Sequence, residues 1–123
     1  MMLGAVNDDL EATLRVTVCN ESGASCDVDA VIDTGFNGHL TLTKALIEQL
    51  NCTWLYREPG ELADGSIGIF DVYAVTVIWD GAPRLVNAEM AEVQPLIGMR
   101  LLERCELCVH ALPGGAAEIR GLD

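Results

Sequence analysis

The sequence predicts an all-β fold, a closed barrel with a hairpin and one or two short helices. Three observations predict it. Several short segments alternate apolar and polar residues at period two. Clusters of Gly, Pro, Asn and Asp punctuate them at regular spacing. Helical periodicity is confined to short stretches. With 123 residues the chain is long enough for one core, so residues 1–123 are read as a single domain.

The first strand is expected from Leu10 to Val18, with Leu10, Ala12, Leu14, Val16 and Val18 on one face and Glu11, Thr13, Arg15 and Thr17 on the other. Asn20-Glu21-Ser22-Gly23-Ala24-Ser25 is rich in turn formers and reverses the chain. The return strand places Cys26, Val28, Ala30 and Ile32 inward and delivers Asp33 to its end. After Gly38 a second alternating piece, His39-Leu40-Thr41-Leu42, leads to a two-turn helix. Thr43 is its expected N-cap, Leu42 and Ile47 its hydrophobic staple, Leu46, Ile47 and Leu50 its apolar face, and Asn51 its end. From Cys52 to Gly60 the pattern is weak, and Pro59-Gly60 reads as a turn. Asp64-Gly65 is a strong hairpin signal between Glu61-Leu62-Ala63 and the apolar run from Ile67 to Trp79. Both alternating sets of that run are apolar, which predicts burial on two faces, or on one with the other at an interface. Asp80-Gly81-Ala82-Pro83 turns the chain into a strand from Arg84 to Glu92. Leu96-Ile97 follows, then Gly98 and a Leu-rich helical turn. Leu107-Cys108-Val109 and Ala117-Glu118-Ile119-Arg120 close the fold around Pro113-Gly114-Gly115.

Composition excludes several classes of partner. A formal net charge of −12 disfavours nucleic acid and anionic membranes, both of which reward clusters of Lys and Arg. No apolar run approaches a membrane span, and the first residues have neither the basic nor the apolar region of a signal peptide, so the expected location is cytoplasmic. The five cysteines, an odd number, read as reduced and mostly buried thiols. Cys105-Glu-Leu-Cys108 has the spacing of a metal or redox pair, but no second pair accompanies it, and His39 and His110 are not suitably spaced. No metal and no cofactor are expected.

The stretch that carries chemistry is Val31-Ile32-Asp33-Thr34-Gly35-Phe36-Asn37-Gly38. A β-branched pair runs into a carboxylate, a hydroxyl and a glycine, so a buried strand ends at a polar turn. Such a strand holds Asp33 rigidly, and Gly35 lets backbone approach it. Asp-Thr-Gly also suits a turn after any strand. Its weight comes from a second stretch downstream, Pro95-Leu96-Ile97-Gly98-Met99-Arg100-Leu101-Leu102, and from Leu62-Ala63-Asp64-Gly65-Ser66 between them. Together with Asp-Thr-Gly-Phe-Asn-Gly-His-Leu-Thr-Leu, these resemble the small prokaryotic branch of the retropepsin-like aspartic proteases.

That resemblance implies a retropepsin-like acid-protease barrel with a flap hairpin, acting as an aspartic endopeptidase. Asp33 would be catalytic, Thr34 would bond across a dimer axis to support the pair, and Gly35 would line the groove with its carbonyl. Asp64, Gly65 and Ser66 would form the flap tip over a peptide or protein substrate, with Phe36 and Asn37 beside the cleft. Leu96, Ile97 and Gly98 would support the loop from behind, Ile97 also contributing to substrate binding. Water activation between carboxylates needs two of them, and the chain has one Asp-Thr-Gly, so the partner is a second copy. Three positions depart from the viral pattern: Phe36 replaces a small residue, and Asn37 and Met99 stand where relatives carry an Asp and Arg that pair. His39 is read as a polar strand residue without a catalytic part, Trp54, Trp79 and Tyr73 as core or interface, and Asp71, Asp80 and Glu92 as solvated or turn carboxylates. Two other classes compete: a peptide-binding module of the same fold with Phe36 plugging its cleft, and a thiol or metal protein built on Cys105 and Cys108. The intact Asp33-Thr34-Gly35 favours the protease, because a binder gains nothing by holding two carboxylates against each other.

Overall fold

The structure, a computed structural model, describes residues 1–62 and 64–122. In chain order its elements are β1 (Met2–Val6), β2 (Ala12–Cys19), β3 (Ser25–Ile32), β4 (Leu40–Leu42), α1 (Lys44–Leu50), β5 (Thr53–Glu61), β6 (Ile67–Trp79), β7 (Ala82–Met90), β8 (Leu96–Ile97), β9 (Cys105–Val109) and β10 (Ala116–Gly121). All join one sheet in the order β5-β6-β7-β4-β8-β3-β2-β1-β10-β9, and a further pairing of β6 with β2 closes the stretch from β6 to β2 into a barrel. The all-β closed barrel predicted from the alternation is the observed architecture.

The barrel forms because the inward residues of its strands are apolar and small enough to fill it. Leu14, Val16 and Val18 of β2, Val28, Ala30 and Ile32 of β3, Val75 and Val77 of β6, and Val86 and Ala88 of β7 are buried together with Leu40, Leu42 and Ile97. β6 is longer than the barrel needs. Its pairing with β7 begins at Val72, so residues 67–71 pair with β5 alone and project as a hairpin. Asp80 and Gly81, both with φ positive, make the two-residue turn from Trp79 to Ala82 that returns the chain into β7.

Helix α1 follows its cap signals. The Thr43 hydroxyl accepts the Leu46 N–H at 3.3 Å, and Asn51 ends the helix in the left-handed conformation. Glu92, distant in sequence, accepts the Lys44 N–H at 2.7 Å and satisfies a second free donor. Leu42 and Ile47 are both buried, as a staple requires. Thr43→Ala is expected to lower stability by about 1 kcal/mol, read as a reduced urea midpoint at unchanged m.

Several expectations need correction. Leu10 is not in the first strand; it sits at φ 61° in a turn and is exposed, because Asn7 closes that turn through the Asp9 and Glu11 N–H groups. β1 carries no sequence signal of its own: its residues lie between β2 and β10 and only Val6 is buried, so no apolar face marks the strand. Thr41 does not alternate outward but is buried, its hydroxyl accepting the Leu96 N–H at 2.9 Å. Pro59-Gly60 is ladder rather than turn, Pro59 opposite Ile69; β5 is an edge strand, where a missing N–H costs little. The Leu-rich stretch after Gly98 makes a single turn, with the Leu101 and Leu102 N–H groups on the Gly98 carbonyl, so α1 is the one helix among the described residues. Ala63, expected in the hairpin, lies outside the described residues. Among those residues no helix is long and apolar enough to cross a membrane.

Candidate active site

Asp33 leaves the end of β3 at the point where that strand is most constrained. β3 runs parallel to β8, Val31 opposite Leu96 and Ile32 opposite Ile97. The Val31 N–H donates to the Pro95 carbonyl at 2.8 Å, and the Asp33 N–H to the Ile97 carbonyl at 2.9 Å. The next residues fold back on the carboxylate: the Gly35 N–H donates to Asp33 Oδ1 at 2.9 Å and the Phe36 N–H to the Asp33 carbonyl at 3.2 Å. Asp33 is half-buried, while Thr34, Gly35 and Asn37 are exposed.

The loop after Asp33 is laced to the second motif. The Gly98 N–H donates to the His39 carbonyl at 3.0 Å, Met99 N–H to the Phe36 carbonyl at 2.8 Å, and Arg100 N–H to the Gly38 carbonyl at 3.1 Å. Only glycine fits at position 98, since an added Cβ would overlap the Gly38 carbonyl oxygen and stand 2.6 Å from the Phe36 ring. Arg84 of β7 braces this turn, its Nη1 donating to the Leu101 carbonyl at 3.0 Å.

A cavity of about 550 Å³ opens between this loop and the β5–β6 hairpin. Asp33, Gly35, Phe36, Asn37, Gly38 and Leu96 form its floor; Gly60, Glu61, Leu62 and Phe70 of the hairpin, with Glu89 of β7, form the remaining wall. The Phe36 ring lies across Gly38 and Gly98 and shapes one side of this space without filling it. Ile97 is fully buried in the core and does not reach the cavity; Leu96 does. Asp64, Gly65 and Ser66 are exposed at the hairpin tip, away from the lining. Asp64 Oδ1 accepts the Ser66 hydroxyl at 2.6 Å and its N–H at 2.9 Å, bonds that hold its carboxyl below the usual range and make it a turn former. The structure thus brings Asp33, Gly35, Phe36 and Asn37 together and leaves Thr34 on the outer surface.

Some of this was not visible in the sequence. Glu61, Leu62, Phe70 and Glu89 line the cavity, but they come from three separate stretches of chain and no local pattern marks them as facing one space. Asp71, read as solvated, accepts from Arg57 Nε at 2.8 Å and Trp54 Nε1 at 3.1 Å, contacts that lower its carboxyl and clamp β5 to β6 at the hairpin base. Trp54 is correspondingly a partly exposed clamp residue rather than core. His39 lines a neighbouring space of about 340 Å³; burial first, then Arg84 and Arg100, push its titration down. Cys105 and Cys108 sit three apart on β9, where a strand points them to opposite faces, and Cys108 is exposed. Among the described residues no group of three or more His, Cys, Asp or Glu is placed to hold a metal.

Comparison with protein-family models and with curated proteins finds no match. Among solved structures, the chain matches the crystal structure of a retropepsin-like aspartic protease from Rickettsia conorii, with TM-score 0.59 at 15% sequence identity, over 98% of this chain and 90% of that one.

Proposed function

From the retropepsin-like fold that this match shows, we propose that the chain is one half of a homodimeric aspartic endopeptidase. The observation that carries the reading is the placing of Asp33: a rigidly held carboxylate on the floor of the cavity beside the β5–β6 hairpin, with Thr34 and Gly35 presented outward beside it. One such carboxylate is half of the required chemistry. Two brought together cannot both ionise, so one keeps a proton while the other draws one from water, which attacks the peptide carbonyl. The protonated partner donates to the carbonyl oxygen and stabilises the tetrahedral state. A second Asp33 across a two-fold axis would supply the missing group, and the exposed Thr34 would bond across that axis.

Substrate would enter as an extended strand under the hairpin, its backbone pairing with the loop and the hairpin arm. The Asp71 clamp fixes the base of that hairpin while its tip stays in solvent, an arrangement suited to opening and closing over a peptide. Sedimentation and peptide turnover measured on the same samples, across concentration and from acidic to neutral pH, test the reading. Turnover per subunit is expected to follow the dimer fraction, and the dimer to weaken as pH rises because each copy carries a formal net charge of −12 at pH 7. Turnover that tracks the monomer overturns the shared site. Peptide binding without turnover at any pH replaces the endopeptidase with a binding module.

A further inference from the structure

Glu89 has no part in the chemistry above, yet it lies on the wall of the Asp33 cavity. It belongs to β7, opposite Val72 on one side and Thr41 on the other, next to the fully buried Ala88. Its side chain is half-buried and borders both the 550 Å³ space beside Asp33 and the 340 Å³ space beside His39. Among the described residues no Lys, Arg or His lies within ion-pair distance of it. Burial, and secondarily the charge of Glu58, raise its titration above the ordinary carboxylate range. The titratable and charged groups facing it are Tyr56, Glu58 and Glu61 of β5, Asp33 of the loop, and on the far side His39 and Arg100.

We propose that Glu89 is a specificity-determining residue of the cleft, and that the subsite it borders takes a basic side chain, Lys or Arg, of a bound peptide. This rests on the peptide cleft of the endopeptidase reading and names its substrate class. A half-buried carboxylate without a cation has lost part of its hydration and gained nothing in exchange. An incoming ammonium or guanidinium supplies the missing partner through a charge-assisted hydrogen bond. The long stem of such a side chain can lie along Phe36, Phe70 and Leu96, which line the same space. An acidic side chain would bring like charge to Glu89 and be rejected. As pH falls through the raised titration of Glu89, the carboxyl becomes neutral and the selectivity fades; a bound cation draws the titration back down.

The test is calorimetric binding of matched peptides to the Asp33→Asn protein, which cannot turn them over, at neutral pH and low salt. The peptides carry Lys, norleucine or Glu at one position, scanned along the sequence. At one position Lys is expected to bind about 10-fold tighter than norleucine. Glu89→Gln is expected to bring that ratio near one, and Glu89→Lys to reverse it in favour of Glu. Equal affinities for Lys and norleucine at every position overturn the proposal, as does a Lys preference that survives Glu89→Gln, or an absence of peptide binding. Wild-type cleavage of all peptides without a Lys preference leaves the endopeptidase reading standing and removes this one. A Glu89-dependent Lys preference with no cleavage by wild type does the reverse.

Discussion

Asp33→Asn is expected to reduce peptide cleavage by about 10⁴-fold while the protein remains folded, because it removes a general acid–base group and leaves its hydrogen-bond geometry nearly intact. The Gly35 N–H that donates to Asp33 Oδ1 can donate equally to an amide oxygen, so the loop keeps its closure. Circular dichroism of the variant should match wild type. The sharper measurement mixes the two proteins. If each active site needs one Asp33 from each copy, and subunits exchange freely, activity falls as the square of the wild-type fraction, to about one quarter in an equal mixture. A site complete within one chain retains about one half. Unchanged cleavage in the pure variant removes Asp33 from the mechanism altogether.

The parts of this site that were legible in the sequence are those where local chemistry and tertiary packing point the same way. β3 reads correctly because Val28, Ala30 and Ile32 are buried while Asp27 and Asp29 are exposed, so the alternation reports the barrel wall directly. The helix reads correctly because Thr43 and Asn51 act through their own neighbours. β5 was lost for the opposite reason. Most of its residues are exposed, so no buried face imposes a period of two, and its place is set by backbone pairing with β6. Gly60 and Glu61 of the cavity wall were lost with it. Glu89 shows the same limit in another form. Nothing local distinguishes Glu89 within the strand expected from Arg84 to Glu92, and only the β5–β6 hairpin beside it makes it a wall residue.

Gly98→Ala is expected to cost about 3 kcal/mol of stability, because the space it needs is occupied by backbone. The added Cβ would overlap the Gly38 carbonyl oxygen and lie 2.8 Å from the Phe36 carbonyl oxygen and 2.6 Å from Phe36 Cδ2. Those carbonyls are held by the Arg100 and Met99 N–H groups, so relief requires breaking the bonds that tie the two motifs together. The carboxylate follows, since the Asp33 N–H is bonded to the carbonyl of Ile97, the residue before Gly98. Whatever folded protein remains is therefore expected to lose about 10²-fold in cleavage through misplacement of Asp33. Gly121→Ala is the control: nothing lies within 4 Å of its added Cβ, and its effect should stay within about 0.5 kcal/mol. A double-mutant cycle with Phe36→Ala separates the two clashes. The ring contact is removed by truncating Phe36 and the carbonyl overlaps are not, so rescue should be partial. Complete rescue would place the constraint in the aromatic ring rather than in the paired backbone, and the glycine would then be a consequence of Phe36 alone.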